Sequence, residues 1–128
     1  MKILISGVSS FLGIYTAKEL LSQGHQVYGI VRKESKNREK LESLRGLQLI
    51  SVDMKAFSSY IEEGELALAS LLPKDVDAII HFAWDGVGSK GRENPEIQEQ
   101  NLLMSKGFYQ WGLQSGVKYF LFAGSQAE

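Results

Sequence analysis

The chain has 128 residues, 44% of them hydrophobic, and its 14 basic and 15 acidic side chains give a net charge of -1. This length and composition predict one compact globular domain and argue against disorder. The balance of charge lacks the basic excess that nucleic acids and anionic membranes attract, so a small polar or nucleotide ligand is favoured.

The chain has no cysteine and only two histidines, His25 and His81. The lack of cysteine excludes a disulfide scaffold, a thiolate nucleophile and a cysteine-ligated zinc site, and two histidines argue against a histidine-rich metal site. No apolar run approaches the roughly 20 residues that cross a bilayer, and the first residues lack the core of a signal peptide. We therefore expect a cytoplasmic protein without a bound metal and without a membrane or nucleic-acid partner.

Short apolar runs typical of buried strands alternate with helix-like segments along the chain. The runs cover residues 3–5, 27–31, 47–52, 78–82 and 119–122. Such alternation is typical of a parallel sheet with helices on both faces. It predicts an α/β fold, a doubly wound sheet of about five strands in the order 3-2-1-4-5.

Four helices are predicted between these strands. The first begins at Phe11, has an apolar residue at each helical repeat, and is followed by Gly24 as its C-terminal cap. The second, residues 34–45, is highly charged and has little apolar stripe. The third covers 58–72 and stops at a proline, and the fourth runs from Pro95 to residue 114, with Gly116 ending it.

Residues 6–13, Ser-Gly-Val-Ser-Ser-Phe-Leu-Gly, connect the first strand directly to the first helix. A glycine at position 7 permits a tight turn, and Gly13 permits close packing of helix on strand. Backbone N–H groups at the helix N-terminus would then face a pyrophosphate. An ordinary turn that contains two glycines is the alternative, but the position after strand one favours dinucleotide binding by a Rossmann-type domain.

With this turn the sequence resembles the extended short-chain dehydrogenase/reductase family, the NAD-dependent epimerase/dehydratase group, which acts largely on nucleotide sugars. The family pattern is Gly-x-x-Gly-x-x-Gly, which this chain matches at Gly7 and Gly13 but not at Ser10. A serine there adds a side chain where backbone approaches phosphate, although its hydroxyl can donate a hydrogen bond. The resemblance implies cofactor contacts from the turn, at Gly7, Ser10, Phe11, Leu12 and Gly13.

Further matches follow in order at residues 53–54, 77–83, 101 and 116–125, so the resemblance covers nearly the whole chain. It implies that Asp53 contacts the adenine ring, and the alternative is a solvated strand-end carboxylate. It also implies that Phe82, Ala83 and Trp84 lie beside the cofactor, where core packing is the alternative for the first two. His81 occupies a structural position of the family pattern and is assigned no chemistry.

The end of strand two decides between the two dinucleotides, because an acidic side chain there binds the ribose hydroxyl of NAD. This chain has Arg32 and Lys33 at that point. Two cations suit the 2′-phosphate of NADP, and the arginine fork can take two phosphate oxygens. Glu34 follows at once, and both cations could simply begin a solvated charged helix. The sequence favours NADP over NAD.

Residues 86–91 also fit a Gly-x-Gly-x-x-Gly string. Four residues separate this string from the next helix, so the close strand-to-helix geometry is missing and a loop is expected. A loop at the carboxyl ends of the strands lies where ligands bind, so Lys90 or Arg92 touching an anionic substrate is a secondary hypothesis.

The resemblance also implies a catalytic set of a serine after strand five, a tyrosine, and a lysine four residues beyond it. Ser125 takes the serine position, and Asn101 matches a helix asparagine that supports the proton relay; a helix-surface amide is the alternative for Asn101. None of the tyrosines present has a lysine four residues later. We therefore expect residues 1–128 to be the NAD(P)-binding part, truncated before the catalytic Tyr/Lys and the substrate-binding portion, and inactive alone.

For the intact protein the resemblance implies an NAD(P)-dependent epimerase, dehydratase or reductase that acts on a nucleotide sugar by hydride transfer. The alternative is a non-catalytic NADP-binding regulatory protein, which would keep the glycine turn and Arg32 without a Tyr-Lys pair. A flavodoxin-like or response-regulator domain is disfavoured, because the turn and Ser125 would then be coincidences. The uncovered edge beyond strand five leaves a homodimer open.

Overall fold

The computed structural model describes residues 1–32, 35, 37–59, 70–83 and 93–122. Its centre is a five-stranded sheet in which every neighbouring pair of strands is parallel, in the order β3-β2-β1-β4-β5. The strands are β1 (Lys2–Ser6), β2 (Gln26–Val31), β3 (Gln48–Ser51), β4 (Ala78–His81) and β5 (Tyr119–Phe122). The predicted doubly wound order is therefore confirmed.

The described helices are α1 (Phe11–Ser22), α2 (Arg38–Glu42) and α3 (Pro95–Gln114), with a 3-10 helix at Met54–Ser59. α1 and α3 lie where the sequence predicts them. The prediction of a helix over residues 34–45 was too long, because only Leu41 of the observed helix is buried and so little anchors a longer one. Most of the predicted third helix, residues 60–69, lies outside the described part of the chain.

The sheet packs helices on both faces because successive side chains of each strand point in opposite directions. Leu4 and Ile79 belong to one buried cluster with Phe57 of the 3-10 helix and Phe108 of α3. The intervening strand residues, such as Ile3 and Ile5, belong to a second cluster with α1 and α2. The carboxyl ends of β1 and β4 are thereby held between α1 on one face and α3 on the other.

Residues predicted to mark the helix ends do so in the structure. Gly24 follows α1 with φ +87°, and Gly116 follows α3 with φ +78°, a backbone conformation that favours glycine. At the start of α3 the side-chain oxygen of Asn94 accepts the N–H groups of Glu96 and Ile97. The two glycines could be recognised from the sequence because a helix end of this kind depends on few neighbours, whereas the Asn94 cap was not predicted.

β5 is an edge strand of the described sheet, since only β4 pairs with it there. Its side chains are largely uncovered: Tyr119 is 58% exposed and Leu121 is 57% exposed. An uncovered edge is the feature that left a homodimer open in the sequence analysis.

Candidate functional site

A cleft opens at the carboxyl ends of β1, β2 and β4, where ligands bind in doubly wound sheets. Six of the residues predicted to contact a cofactor line it: Gly7, Ser10, Arg32, Asp53, Phe82 and Ala83. These residues come from segments far apart in the chain. The fold brings these six to one edge of the sheet, whereas Phe11, Leu12 and Gly13, the other described residues of that set, are not among the residues that line the cleft.

Gly7 lies directly against the segment that follows β4. Its φ is +65°, and a Cβ atom there would lie 2.7 Å from the Ala83 nitrogen and 2.8 Å from the Phe82 carbonyl carbon. Such distances are too short for any side chain, so glycine is required by both the backbone conformation and the space. The absent side chain lets the turn and the Phe82–Ala83 segment form adjoining walls of the cleft.

Gly13 has the packing role that the sequence predicts for it. A Cβ atom on Gly13 would lie 2.5 Å from the Gly7 carbonyl oxygen and 2.7 Å from the Val8 Cα atom. The first turn of α1 therefore packs directly on the turn that leaves β1. This contact fixes where the helix begins relative to the cleft.

Ser10 is the N-cap of α1. Its Oγ accepts the Gly13 N–H at 3.0 Å, and its carbonyl accepts the Ile14 N–H at 2.9 Å. Within the described residues, no hydrogen bond engages the N–H groups of Phe11 and Leu12, which lie in the first helical turn. Two free backbone donors at a helix N-terminus, with its positive dipole end, fit an anionic group such as a diphosphate.

Arg32 and Asp53 border the cleft beyond the glycine turn. Arg32 follows β2 directly, and its side chain is exposed. One Asp53 carboxylate oxygen, Oδ1, accepts the N–H of Lys55 at 3.0 Å, which fixes the direction of the side chain. Lys33 and Trp84, the other predicted cofactor contacts, lie outside the described residues.

Asn37 connects the segment after β2 to the glycine turn. Its side-chain nitrogen donates to the Ser9 carbonyl oxygen at 2.8 Å, across 28 positions of sequence. Ser9 itself lines the cleft. Sequence reasoning missed this contact, since neither residue belongs to a motif and only the folded chain brings them together.

A buried polar group lies just beneath the Phe82–Ala83 wall. The Ser6 Oγ and His81 Nδ1 are 2.5 Å apart, and the His81 Nε2 and Ser105 Oγ are 2.9 Å apart. The ring of His81 is packed among aromatic side chains, and burial lowers its pKa from 6.5 to about 4. His81 is thus a packed residue, as the sequence analysis expected, and its lowered pKa keeps the ring neutral near pH 7. The sequence analysis missed the roles of Ser6 and Ser105.

Asn101 lies on α3 one turn before Ser105 and is only 3% exposed. The alternative of a helix-surface amide was therefore wrong, because this face of α3 packs on the sheet. Ser125, the proposed catalytic serine, lies outside the described residues. The loop of residues 86–91 lies outside them too, together with Lys90 and Arg92.

Within the described part of the chain, no group of three or more His, Asp or Glu side chains is arranged to hold a metal ion. None of the helices in the same ranges combines the length and apolarity that a membrane span needs.

Comparison with known proteins gives consistent matches along the chain. A family model, described as the NAD dependent epimerase/dehydratase family, matches residues 3–128. The dTDP-6-deoxy-L-talose 4-dehydrogenase (NAD(+)) of Aggregatibacter actinomycetemcomitans is 27% identical over 128 residues, which are 100% of this chain and 43% of that protein.

Solved structures match the same region. The UDP-Glc/GlcNAc 4-epimerase from Campylobacter jejuni has 26% identity and a TM-score of 0.75, over 98% of this chain and 37% of its own. The UDP-glucose 4-epimerase from Bifidobacterium longum, solved with NAD+ and UDP, has 21% identity and a TM-score of 0.76, over 98% and 37% of the two chains. At that identity the likeness shows the fold alone.

The chain spans roughly two fifths of the length of these relatives. The family model covers residues 3–128, nearly the whole chain. The chain belongs to the NAD dependent epimerase/dehydratase family.

Proposed function

We propose that the cleft binds a nicotinamide dinucleotide with its diphosphate at the start of α1. The observation that carries this proposal is the pair of N–H groups of Phe11 and Leu12, which no described residue accepts, beside the turn at Gly7. A diphosphate would accept from these donors and gain from the helix dipole. Ser10 keeps its hydroxyl oxygen on the Gly13 N–H, so its hydroxyl proton remains to donate to a phosphate oxygen.

The adenosine half of the dinucleotide would lie between Arg32 and Asp53. The Asp53 carboxylate, oriented by the Lys55 N–H, accepts from the adenine amino group. Arg32, exposed at the end of β2, pairs with the 2′-phosphate of NADP. We therefore propose NADP as the preferred dinucleotide, although two of the relatives named above are described with NAD+.

Calorimetric titration with NADPH and NADH tests the choice of dinucleotide. The Arg32→Ala variant is expected to lose about tenfold or more in NADPH affinity and little in NADH affinity, as one charge-assisted contact is removed. Arg45→Ala, which removes the same charge outside the lining of the cleft, is the matched control and should leave both affinities in place. Tighter binding of NADH by the unaltered chain would overturn the preference.

We further propose that the protein to which this chain belongs is an epimerase, dehydratase or reductase of a nucleotide sugar, and that residues 1–128 are its cofactor-binding part. The relatives support the substrate class, since their names specify UDP- or dTDP-linked sugars. A bound nicotinamide supplies the hydride acceptor or donor. Ser125 would hold the substrate oxygen and Asn101 would support the proton relay. The tyrosine and lysine of the catalytic set would lie outside residues 1–128.

Assays with UDP- and dTDP-hexoses test this second part of the proposal. The whole protein should interconvert or reduce such a sugar, and Ser125→Ala should lower kcat about a hundredfold with dinucleotide affinity unchanged. Residues 1–128 alone should bind dinucleotide without turnover, and appreciable turnover by them would contradict their assignment. Binding without any turnover by the whole protein would favour the regulatory alternative.

A further inference from the structure

Three side chains form a continuous polar line through the apolar core beneath the cleft. Ser6 ends β1, His81 ends β4, and the two residues are partners in the parallel register of the sheet. Ser6 is fully buried and His81 is 1% exposed, and the line continues to Ser105 on α3. Hydrogen-bonded polar side chains in an apolar core are stabilising only if each of their protons has an acceptor.

The hydrogen bonds of Ser6 determine which atom donates and which accepts along this line of side chains. The Ser6 Oγ accepts the N–H groups of Phe82, at 3.1 Å, and Ala83, at 3.2 Å. A backbone N–H can only donate, and a hydroxyl has two acceptor sites and one proton. The hydroxyl proton must therefore point to His81 Nδ1, so the ring carries its own proton on Nε2 and donates it to the Ser105 Oγ.

The two amides that Ser6 holds belong to the wall of the cleft. The register of β1 with β4 ends at Ser6 and His81, so Phe82 and Ala83 lie just beyond the paired residues. The Ala83 N–H has the Ser6 Oγ as its acceptor, and the Phe82 N–H is shared between the Oγ and the carbonyl oxygen of Ser6. Because Gly7 leaves no room for even a Cβ atom, a small shift of this segment changes the shape of the cleft.

We propose that Ser6 and His81 are positioning residues for the dinucleotide: Ser6 fixes the Phe82–Ala83 wall, and His81, as the Nε2-protonated form, fixes the Ser6 hydroxyl. Ser105 completes the line from α3, one turn from Asn101. The same hydrogen bonds therefore fix the position of the helix that carries Asn101, the proposed relay residue. This proposal rests on the proposed dinucleotide function. A purely structural role for the three residues would affect stability without affecting affinity.

The ring nitrogens of His81 give a direct test that needs no variant. In ¹⁵N-edited spectra of the protein near neutral pH, Nε2 should carry the proton and Nδ1 should have the shift of an unprotonated acceptor. Protonation at Nδ1 would overturn the proposal, because Ser6 would then have to accept three hydrogen bonds with two acceptor sites.

Ser6→Ala separates positioning from stability. Calorimetric titration should show dinucleotide affinity reduced about tenfold, the loss expected when one hydrogen bond that orients the wall is removed. Ser6→Thr keeps the hydroxyl and should bind within about twofold of the unaltered protein. Val76→Ala, a buried change two residues before the start of β4, should lower stability and leave affinity unchanged.

The outcomes distinguish this proposal from the one on which it rests. If the unaltered protein binds neither NADPH nor NADH, the dinucleotide function falls and the positioning role falls with it. If the unaltered protein binds and Ser6→Ala binds equally well, only the positioning role is overturned. If Ser6→Ala and Val76→Ala lower stability equally and also lower affinity equally, the positioning role is likewise overturned. The loss of affinity would then follow from the loss of stability alone.

Discussion

The backbone nitrogen of Ala83 lies so close to Gly7 that a Cβ atom on Gly7 would be 2.7 Å from it. The two residues are neighbours in space because β1 and β4 are adjacent strands that end at the same edge of the sheet. Three consequences of this closeness are the tight turn, the adjoining walls of the cleft and a strict requirement for glycine.

Gly7→Ala should therefore be among the most destabilising single changes in the chain. A left-handed backbone costs an ordinary residue about 1 to 2 kcal/mol, and the forced shift of the Ala83 backbone adds about 1 to 3 kcal/mol. Gly24→Ala is the matched control, since Gly24 has φ +87° but nothing within 4 Å of its Cβ position. Urea unfolding of both variants measures the difference, and equal losses would mean that the contact with Ala83 is absent.

Val8 and Gly29 should show strong coupling in a double-mutant cycle. A Cβ atom on Gly29 would lie 2.7 Å from Cγ1 of the buried Val8. Gly29→Ala should cost about 1 to 3 kcal/mol by overpacking, and the cost should fall by about 1 kcal/mol or more when Val8→Ala first removes the obstructing methyl groups. Unfolding of all four proteins provides the coupling energy, and simple additivity would argue against this contact.

Protonation of His81 should make stability fall as pH falls through a defined window. Burial lowers the pKa of His81 from 6.5 to about 4, so between these values the unfolded chain binds a proton that the folded chain does not. This contribution to the free energy of unfolding is complete above pH 6.5 and is lost progressively down to about pH 4, to a total of roughly 3 kcal/mol at most.

Urea unfolding of the unaltered protein and of His81→Asn, at about pH 7.5 and about pH 4.5, checks the size of this effect. The asparagine amide provides a donor and an acceptor but does not titrate. The difference in stability between the two pH values should be smaller in the variant. The same difference in both proteins would assign the pH dependence to other groups.

Asp53 should discriminate between adenine and hypoxanthine in the dinucleotide. Its Oδ1 is engaged by the Lys55 N–H, which leaves the other carboxylate oxygen for the adenine amino group. The unaltered chain should bind the hypoxanthine analogue of its dinucleotide about tenfold more weakly, since hypoxanthine presents a carbonyl where adenine presents a donor. Asp53→Asn keeps one oxygen for Lys55, replaces the other by a donor, and should reverse the preference.

Titration of both proteins with both dinucleotides gives the four affinities. An identical preference in the two proteins would remove Asp53 from the adenine site. Glu93→Gln, a carboxylate-to-amide change at an exposed residue outside the cleft, serves as the control for altered charge.

The strand order could be predicted because its signals are local and repeat along the chain. Apolar runs alternate with helical segments, and the glycine turn after β1 identifies the first of them as the central strand of a doubly wound sheet. The extent of α2 could not be predicted in this way. Its charged sequence has one buried anchor, Leu41, so its length depends on packing that the sequence pattern does not contain.

The candidate site was predictable where a backbone requirement selects a residue type, as at Gly7 and Gly13. It was not predictable where hydrogen bonds join segments with no common motif. Asn37 reaches Ser9 across 28 positions, and Ser6 reaches His81 across 75. Serine and asparagine occur at many surface positions, so only the register of β1 with β4 identifies Ser6 as a buried acceptor.

The central position of β1 determines the order in which the sheet can assemble during synthesis. β1 finds its first partner in β2, the next strand to leave the ribosome, whereas its second partner β4 follows some 75 positions behind. Until residues 78–81 emerge, one side of β1 has backbone groups without a strand to pair with, which is the condition that invites association between nascent chains. Chaperone contact or local pauses in translation near this point would therefore affect yield more than equal delays after β4 has emerged.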